Sequence, residues 1–274
     1  MIHLDMHGTR IPALGLGTFQ LPSNTATYMV EAALDIGYRH IDSAQIYDNE
    51  SHVGWGLQRS SVPREDYFLT TKVWVDNIRS NNIQRSVENT LKNLQTEYVD
   101  LLLLHWPTPD VPFSQSLAAL SELTRSGKAK HIGISNYNCQ QVQDACAHSE
   151  IPLLTNQVEY HTYLNQNRVL DTIRQNNMCL TAYSPLAQGR LLNDAVLQAI
   201  GQKHSKTVCQ VALRWLIQQG QVMAIPRSSK LEHAKENLDI FDFELSDDDM
   251  KTIDQLTQNQ VRVINPEHLA PDWD

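Results

Sequence analysis

Short apolar runs recur along this chain, near positions 13–17, 38–42, 67–72, 99–104, 130–134, 153–158, 179–183 and 222–226. Several are apolar without alternation, as in strands covered on both faces. Between them the spacing changes to that of helices. Ala26, Met29, Val30, Ala33 and Leu34 make one apolar face, as do Ile83, Val87, Leu91 and Leu94. Val208, Val211, Ala212, Trp215 and Leu216 repeat the pattern, with Gly220 placed to stop that helix. Ser246 and Asp249 have the spacing of a capping box, with Asp in place of the usual Glu or Gln. Eight strands alternating with helices predict an α/β fold closed into a (β/α)8 TIM barrel. Residues 2–4 and 9–11, with His7-Gly8 between, predict a small N-terminal β-hairpin plugging the barrel bottom. The aperiodic segment 259–274 predicts a C-terminal loop over the barrel mouth. No linker or low-complexity stretch divides the chain, so residues 1–274 read as a single domain.

Composition narrows the partners. Of 274 residues, 41% are hydrophobic and 19% charged, enough to bury a large core. The net charge of −9 argues against nucleic acid and against an anionic membrane surface. An anionic ligand would therefore need a local basic island. Cys139, Cys146, Cys179 and Cys209 form no C-x-x-C pair and no zinc spacing, so they read as reduced, mostly buried thiols. No metal site is expected. The N-terminus lacks the pattern of a signal peptide and no run is long enough to span a bilayer. A cytoplasmic protein is expected.

The polar residues at the ends of these runs carry the candidate chemistry. Asp42 ends the second run, with Tyr47 just beyond it; Lys72 ends the third; His105 follows the four leucines of the fourth. In a parallel barrel, C-terminal strand ends form the working face. A phenol has a pKa of about 10, and a neighbouring ammonium lowers it by roughly one to three units. Tyr47 is thus the expected general acid, Lys72 its activator, and Asp42 the group that keeps Lys72 charged and oriented. His105 is expected to be a neutral imidazole directed at the substrate carbonyl. Each residue alone has an ordinary structural reading, as packing or a buried ion pair; their joint placement at strand ends favours catalysis. The basic island also exists. Arg227, Lys230, His233 and Lys235 accompany a single acid, Glu232, after the eighth run, at the usual phosphate site of such barrels. No G-x-G-x-x-G follows any strand, so a Rossmann site is not supported.

The stretches Gly15-Leu-Gly-Thr18, His40-Ile-Asp-Ser-Ala-Gln-Ile-Tyr-Asp-Asn-Glu50, Lys72-Val-Trp74, Leu102-Leu-Leu-His-Trp-Pro107, Gly133-Ile-Ser-Asn136, Asn156-Gln-Val-Glu159, Ala182-Tyr-Ser-Pro-Leu186 and Ile225-Pro-Arg-Ser228 resemble, in order, the motif series of the aldo-keto reductases. The short loops and the ending Pro266–Asp274 are similar to bacterial 2,5-didehydrogluconate (2,5-diketo-D-gluconate) reductases. The resemblance implies NADPH-dependent reduction of an aldehyde or ketone. Catalysis would fall to Asp42, Tyr47, Lys72 and His105. Ser135, Asn136 and Gln157 would hydrogen-bond a nicotinamide carboxamide and Tyr183 would stack on its ring. Ser184, Leu186, Gln188 and Gly189 would wrap the pyrophosphate. Thr18, Asp42, Ile225, Ser228 and Ser229 belong to the same implied cofactor site. Arg227 and His233 would face the 2′-phosphate of NADP(H), and Glu236 and Asn237 the adenine. The family commonly has Lys where Arg227 stands and Arg where His233 stands. A histidine is only partly charged near neutrality, so NAD(H) is expected as a weaker alternative. Phe19, Trp74, His105, Trp106 and Trp273 would line the substrate pocket. The segments 108–114 and 188–193 are short, which implies an open pocket for small polar carbonyl compounds, either keto-sugar acids or reactive aldehydes such as methylglyoxal. A monomer is expected.

Two other readings compete. A cofactor-binding regulatory module would keep the barrel without turnover; the intact Asp42, Tyr47, Lys72 and His105 argue against it. A Schiff-base aldolase using Lys72 would need that amine uncharged, which Asp42 opposes.

Overall fold

The computed structural model describes residues 1–79 and 81–274. A two-stranded antiparallel hairpin comes first, β1 (His3–Met6) and β2 (Thr9–Pro12). Its turn places His7 and Gly8 at positive φ. Eight parallel strands follow: β3 (Leu16–Gly17), β4 (His40–Asp42), β5 (Phe68–Val73), β6 (Val99–Leu104), β7 (Ala129–Ser135), β8 (Leu153–Glu159), β9 (Cys179–Tyr183) and β10 (Val222–Ala224). They pair in chain order from β3 to β10. Parallel bridges Leu14 to Ala224 and Gly17 to Arg227 join the first strand to the last and close the barrel. Gly17 is required at this seam. A Cβ there would lie 2.8 Å from the carbonyl oxygen of Ile225.

Strand periodicity sorts the side chains. Phe68, Leu101, Leu103, Leu154, Cys179 and Met223 form an inner cluster, while Leu69, Val73, Leu102 and Leu104 join the larger cluster beneath the helices. Thr70 and Lys72 therefore share the inward side of β5 with Phe68. Met6 and Ile11 of the hairpin belong to the inner cluster, and Thr9 Oγ1 lies 2.7 Å from His131 Nε2. The hairpin thus plugs the bottom of the barrel.

The helices form where the apolar faces require them. The spans Ser23–Asp35, Ile83–Leu94 and Val208–Gln218 match the three patterns read from sequence, and Gly220 follows the last at φ 72°. Ser246 and Asp249 form a reciprocal capping box at the start of Asp247–Leu256. The first barrel strand is shorter than the apolar run 13–17, because Ala13 and Leu14 serve the hairpin and the closing seam. Only Cys179 is buried; the other three thiols are half-buried, and all four are free. No helix of the described residues is long and apolar enough to cross a membrane.

Candidate active site

The C-terminal ends of the strands open into a cleft of about 770 Å³. Asp42 and Lys72 lie at its base, both buried. Lys72 Nζ donates to Asp42 Oδ1 (2.5 Å), to the Ser43 carbonyl (2.9 Å) and to the Tyr47 hydroxyl (3.1 Å). Burial opposes the charge on Lys72, but Asp42 and Tyr47 more than offset it and hold the ammonium above its ordinary pKa. Gln157 Nε2 donates to Asp42 Oδ2 (2.8 Å), so both carboxylate oxygens are occupied.

Tyr47 ends the 3-10 turn Gln45–Tyr47, and the left-handed Asp48 follows. The turn is tied to the wall of the cleft. Gln45 Oε1 accepts from the Trp74 amide (2.8 Å) and from Asn77 Nδ2 (2.9 Å). Phe19 packs on Tyr47 with centroids 5.0 Å apart, and His105 meets Tyr47 edge-on at 5.9 Å and Trp74 at 5.3 Å. One expectation fails here. Burial raises the Tyr47 phenol above its ordinary pKa, and Lys72 offsets that only in part. The ammonium lowers the acid relative to a buried phenol, not relative to a phenol in water. His105 is pushed well below the usual imidazole range by burial and by the Lys72 charge, and is therefore neutral near pH 7.

The second half of the barrel supplies the rest of the lining. Asn136, Gln157, Tyr183, Ser184, Leu186, Gln188, Gly189, Ile225, Arg227, Ser228, Ser229, His233, Glu236 and Asn237 all face the same cleft as Tyr47, Trp74, His105, Trp106 and Phe19. Thr18 and Ser135 lie beneath it. Thr18 Oγ1 donates to the Asp42 carbonyl, and Ser135 Oγ donates to the Gln157 carbonyl. Asn136, at φ 68°, donates from Nδ2 to the His105 carbonyl (2.9 Å) and accepts at Oδ1 from the Tyr183 hydroxyl (2.8 Å). Ser184, Ala187, Gln188 and Gly189 all have positive φ. For the non-glycine residues Ser184, Ala187 and Gln188 this costs about 1–3 kcal/mol each, and such positions gather at binding loops, whereas Gly189 adopts it freely. Trp273 stands off the lining; its ring meets Trp106 at 6.3 Å and carries the Arg262 guanidinium at 3.8 Å. Gln20, Ile46, Leu192, Cys209, Ile264, Pro266 and Leu269 also line the cleft and escaped the sequence reading. Ile46 and Leu192 are exposed apolar side chains, at 47% and 50%, and nothing in the local sequence pattern marks either as facing a cleft.

A barrel with a buried Asp–Lys–Tyr chain beside a neutral histidine defines a carbonyl-reducing enzyme of the aldo-keto type. The chain belongs to the aldo/keto reductase family, whose family model matches residues 13–258. It is 42% identical to glyoxal reductase of Bacillus subtilis over 96% of this chain and 95% of that protein. It is 40% identical to methylglyoxal reductase DkgB of Escherichia coli O157:H7, over 96% of this chain and 99% of the relative. Among solved structures, a candidate 2,5-diketo-D-gluconic acid reductase B superposes with a TM-score of 0.97 at 47% identity, covering 100% of this chain and 98% of that one.

Proposed function

We propose that this reductase uses NADPH to reduce small, uncharged aldehydes and vicinal dicarbonyls, with Tyr47 as the proton donor. The observation that carries the reading is the 3.1 Å contact between Lys72 Nζ and the Tyr47 hydroxyl at the base of the cleft. As the carbonyl oxygen gains negative charge, Tyr47 delivers its proton to it. The ammonium then faces the phenolate that remains. His105, neutral and beside Tyr47, orients the carbonyl oxygen by hydrogen bonding. The charged Lys72 disfavours a Schiff base.

The residues fit a dinucleotide. One continuous cleft joins the catalytic group to Gln157, Tyr183, the left-handed turn 184–189 and the basic segment after β10. A reduced nicotinamide held by these residues would supply the hydride. Arg227 and His233 are the residues assigned to a 2′-phosphate, and Glu236 and Asn237 to the adenine. Among the described residues, the assignment leaves no further cation in the lining for a substrate carboxylate, and Lys72 beneath it is committed to Asp42. Phe19, Ile46, Trp74, Trp106, Leu192, Ile264 and Leu269 make the rest of the wall largely apolar. This favours the reactive aldehydes over the keto-sugar acids. The names of the glyoxal and methylglyoxal reductases support the same choice, whereas the diketogluconate relative supports the other. Following NADPH absorbance with methylglyoxal and with 2,5-didehydrogluconate separates them. A higher kcat/KM for the sugar acid would overturn the substrate assignment.

A further inference from the structure

We propose that Glu159 is a positioning residue that fastens the C-terminal segment as one wall of the cleft and so sets the affinity for the carbonyl substrate. The inference rests on the reductase reading above. Glu159 closes β8, two residues beyond Gln157, and is fully buried. Both carboxylate oxygens are used. Oε1 accepts from the Val263 amide (2.6 Å) and from His161 Nε2 (2.9 Å), and Oε2 accepts from the Ile264 amide (2.7 Å). His161 is itself buried, and its Nδ1 accepts from the Tyr163 amide (3.2 Å), so Nε2 carries the proton turned toward Glu159. A second tie lies beside the first, from the Val261 amide to the Tyr163 carbonyl (2.8 Å).

The segment needs such a partner. Residues 260–274 form no helix or strand, so their amides find no ladder. Two successive amides instead converge on one carboxylate, and charge-assisted bonds of this kind are the stronger class. Just past the ties, Ile264, Pro266 and Leu269 line the cleft. Between the ties sits Arg262, which stacks on Trp273, and Trp273 backs Trp106. Releasing the latch therefore frees the wall at Ile264, while the chain end keeps its own ties, from Asn138 Nδ2 to the Asp272 carbonyl (2.9 Å) and from the Cys139 amide to Asp274 Oδ2 (2.8 Å), so the effect is confined to the segment around Ile264. Tyr47, Lys72 and Asp42 make no hydrogen bond to this network among the described residues and keep their geometry. An amide cannot replace the carboxylate, since one of its two ends is a donor that would face a backbone N–H.

The test is Glu159→Gln in the full-length enzyme. Hydrogen exchange followed by mass spectrometry should show faster exchange over residues 260–269. With methylglyoxal at saturating NADPH, KM should rise roughly 10-fold while kcat stays within about 2-fold, as for the loss of one charge-assisted bond. Val263→Pro removes a donor from the loop side and should reproduce both effects; it carries the test should Glu159→Gln fail to fold. Unchanged exchange in 260–269, or a fall in kcat with KM unmoved, overturns the proposal. If the wild-type enzyme reduces no carbonyl compound, the functional reading fails, and the exchange data still judge the latch.

Discussion

At Tyr47, one hydroxyl has to be both a buried, satisfied group and an acid. Its neighbours resolve this. Burial keeps the phenol protonated, and Lys72 limits the resulting penalty on proton release. Tyr47→Phe should lower kcat by roughly 10²–10⁴-fold, the usual range for a general acid. The dissociation constant for NADPH, read by quenching of protein fluorescence, should stay the same. Turnover near that of the wild type would remove Tyr47 from the mechanism. Lys72→Met acts through the same hydroxyl. Without the ammonium, nothing offsets the effect of burial, so the phenol becomes a weaker acid. The alkaline limb of the kcat profile should then move to higher pH as the rate falls. This change also leaves Asp42 buried without its partner, which costs about 3–5 kcal/mol by analogy with other broken buried pairs. Thermal unfolding should register that loss, and an unaltered pH profile would reduce Lys72 to a structural role.

At the scale of elements, the strand ends were legible and the loops were not. Asp42, Lys72 and His105 could be placed because a buried strand has a fixed period and a polar residue at its C-terminal end breaks it. The helices around them followed from apolar faces that the barrel must cover. The turn carrying Tyr47 was readable only through its motif. Gln45 supports that turn by accepting the Trp74 amide, a contact between residues 29 positions apart that no local pattern announces. The pattern predicts 259–274 as a loop over the barrel mouth, but not that Ile264, Pro266 and Leu269 are its cleft-facing residues, since the loop is held by Glu159 from the far side of the sequence. Trp273, expected in the pocket, backs Trp106 instead. The segment after β10 carries its own prediction. Arg227 lies beyond the end of β10 and is itself the partner of Gly17 in the closing bridge, so its backbone is fixed at the seam and its fork can serve a phosphate. Arg227→Ala should raise KM for NADPH far more than for NADH. His233→Arg should widen the preference for NADPH, as a permanent charge replaces an imidazole. If both substitutions affect the two cofactors alike, the segment does not read the 2′-phosphate.

Over the whole molecule, the two ends of the barrel are given different tasks. The top gathers a buried ion pair, left-handed loop residues and an irregular C-terminal wall, none of which is the most stable choice locally. The bottom is closed by apolar packing. There Met6 and Ile11 of the hairpin meet Phe68, Leu101, Leu103, Leu154 and Met223 inside the strands. This inner cluster packs the barrel interior beneath the catalytic end. Ile11 is fully buried, so Ile11→Ala removes apolar contact and leaves a cavity that the surrounding strands cannot fill. Such truncations cost about 2–5 kcal/mol. In a domain of this size, each kcal/mol lowers Tm by roughly 2–4 °C. The expected result is a clear fall in Tm by calorimetry with kcat and KM at 25 °C unchanged, because no hydrogen bond links Ile11 to Asp42, Tyr47, Lys72 or His105 among the described residues. A loss of kcat in the still-folded variant would mean that the plug shapes the catalytic end as well, and that stability and chemistry are not separated along the barrel axis.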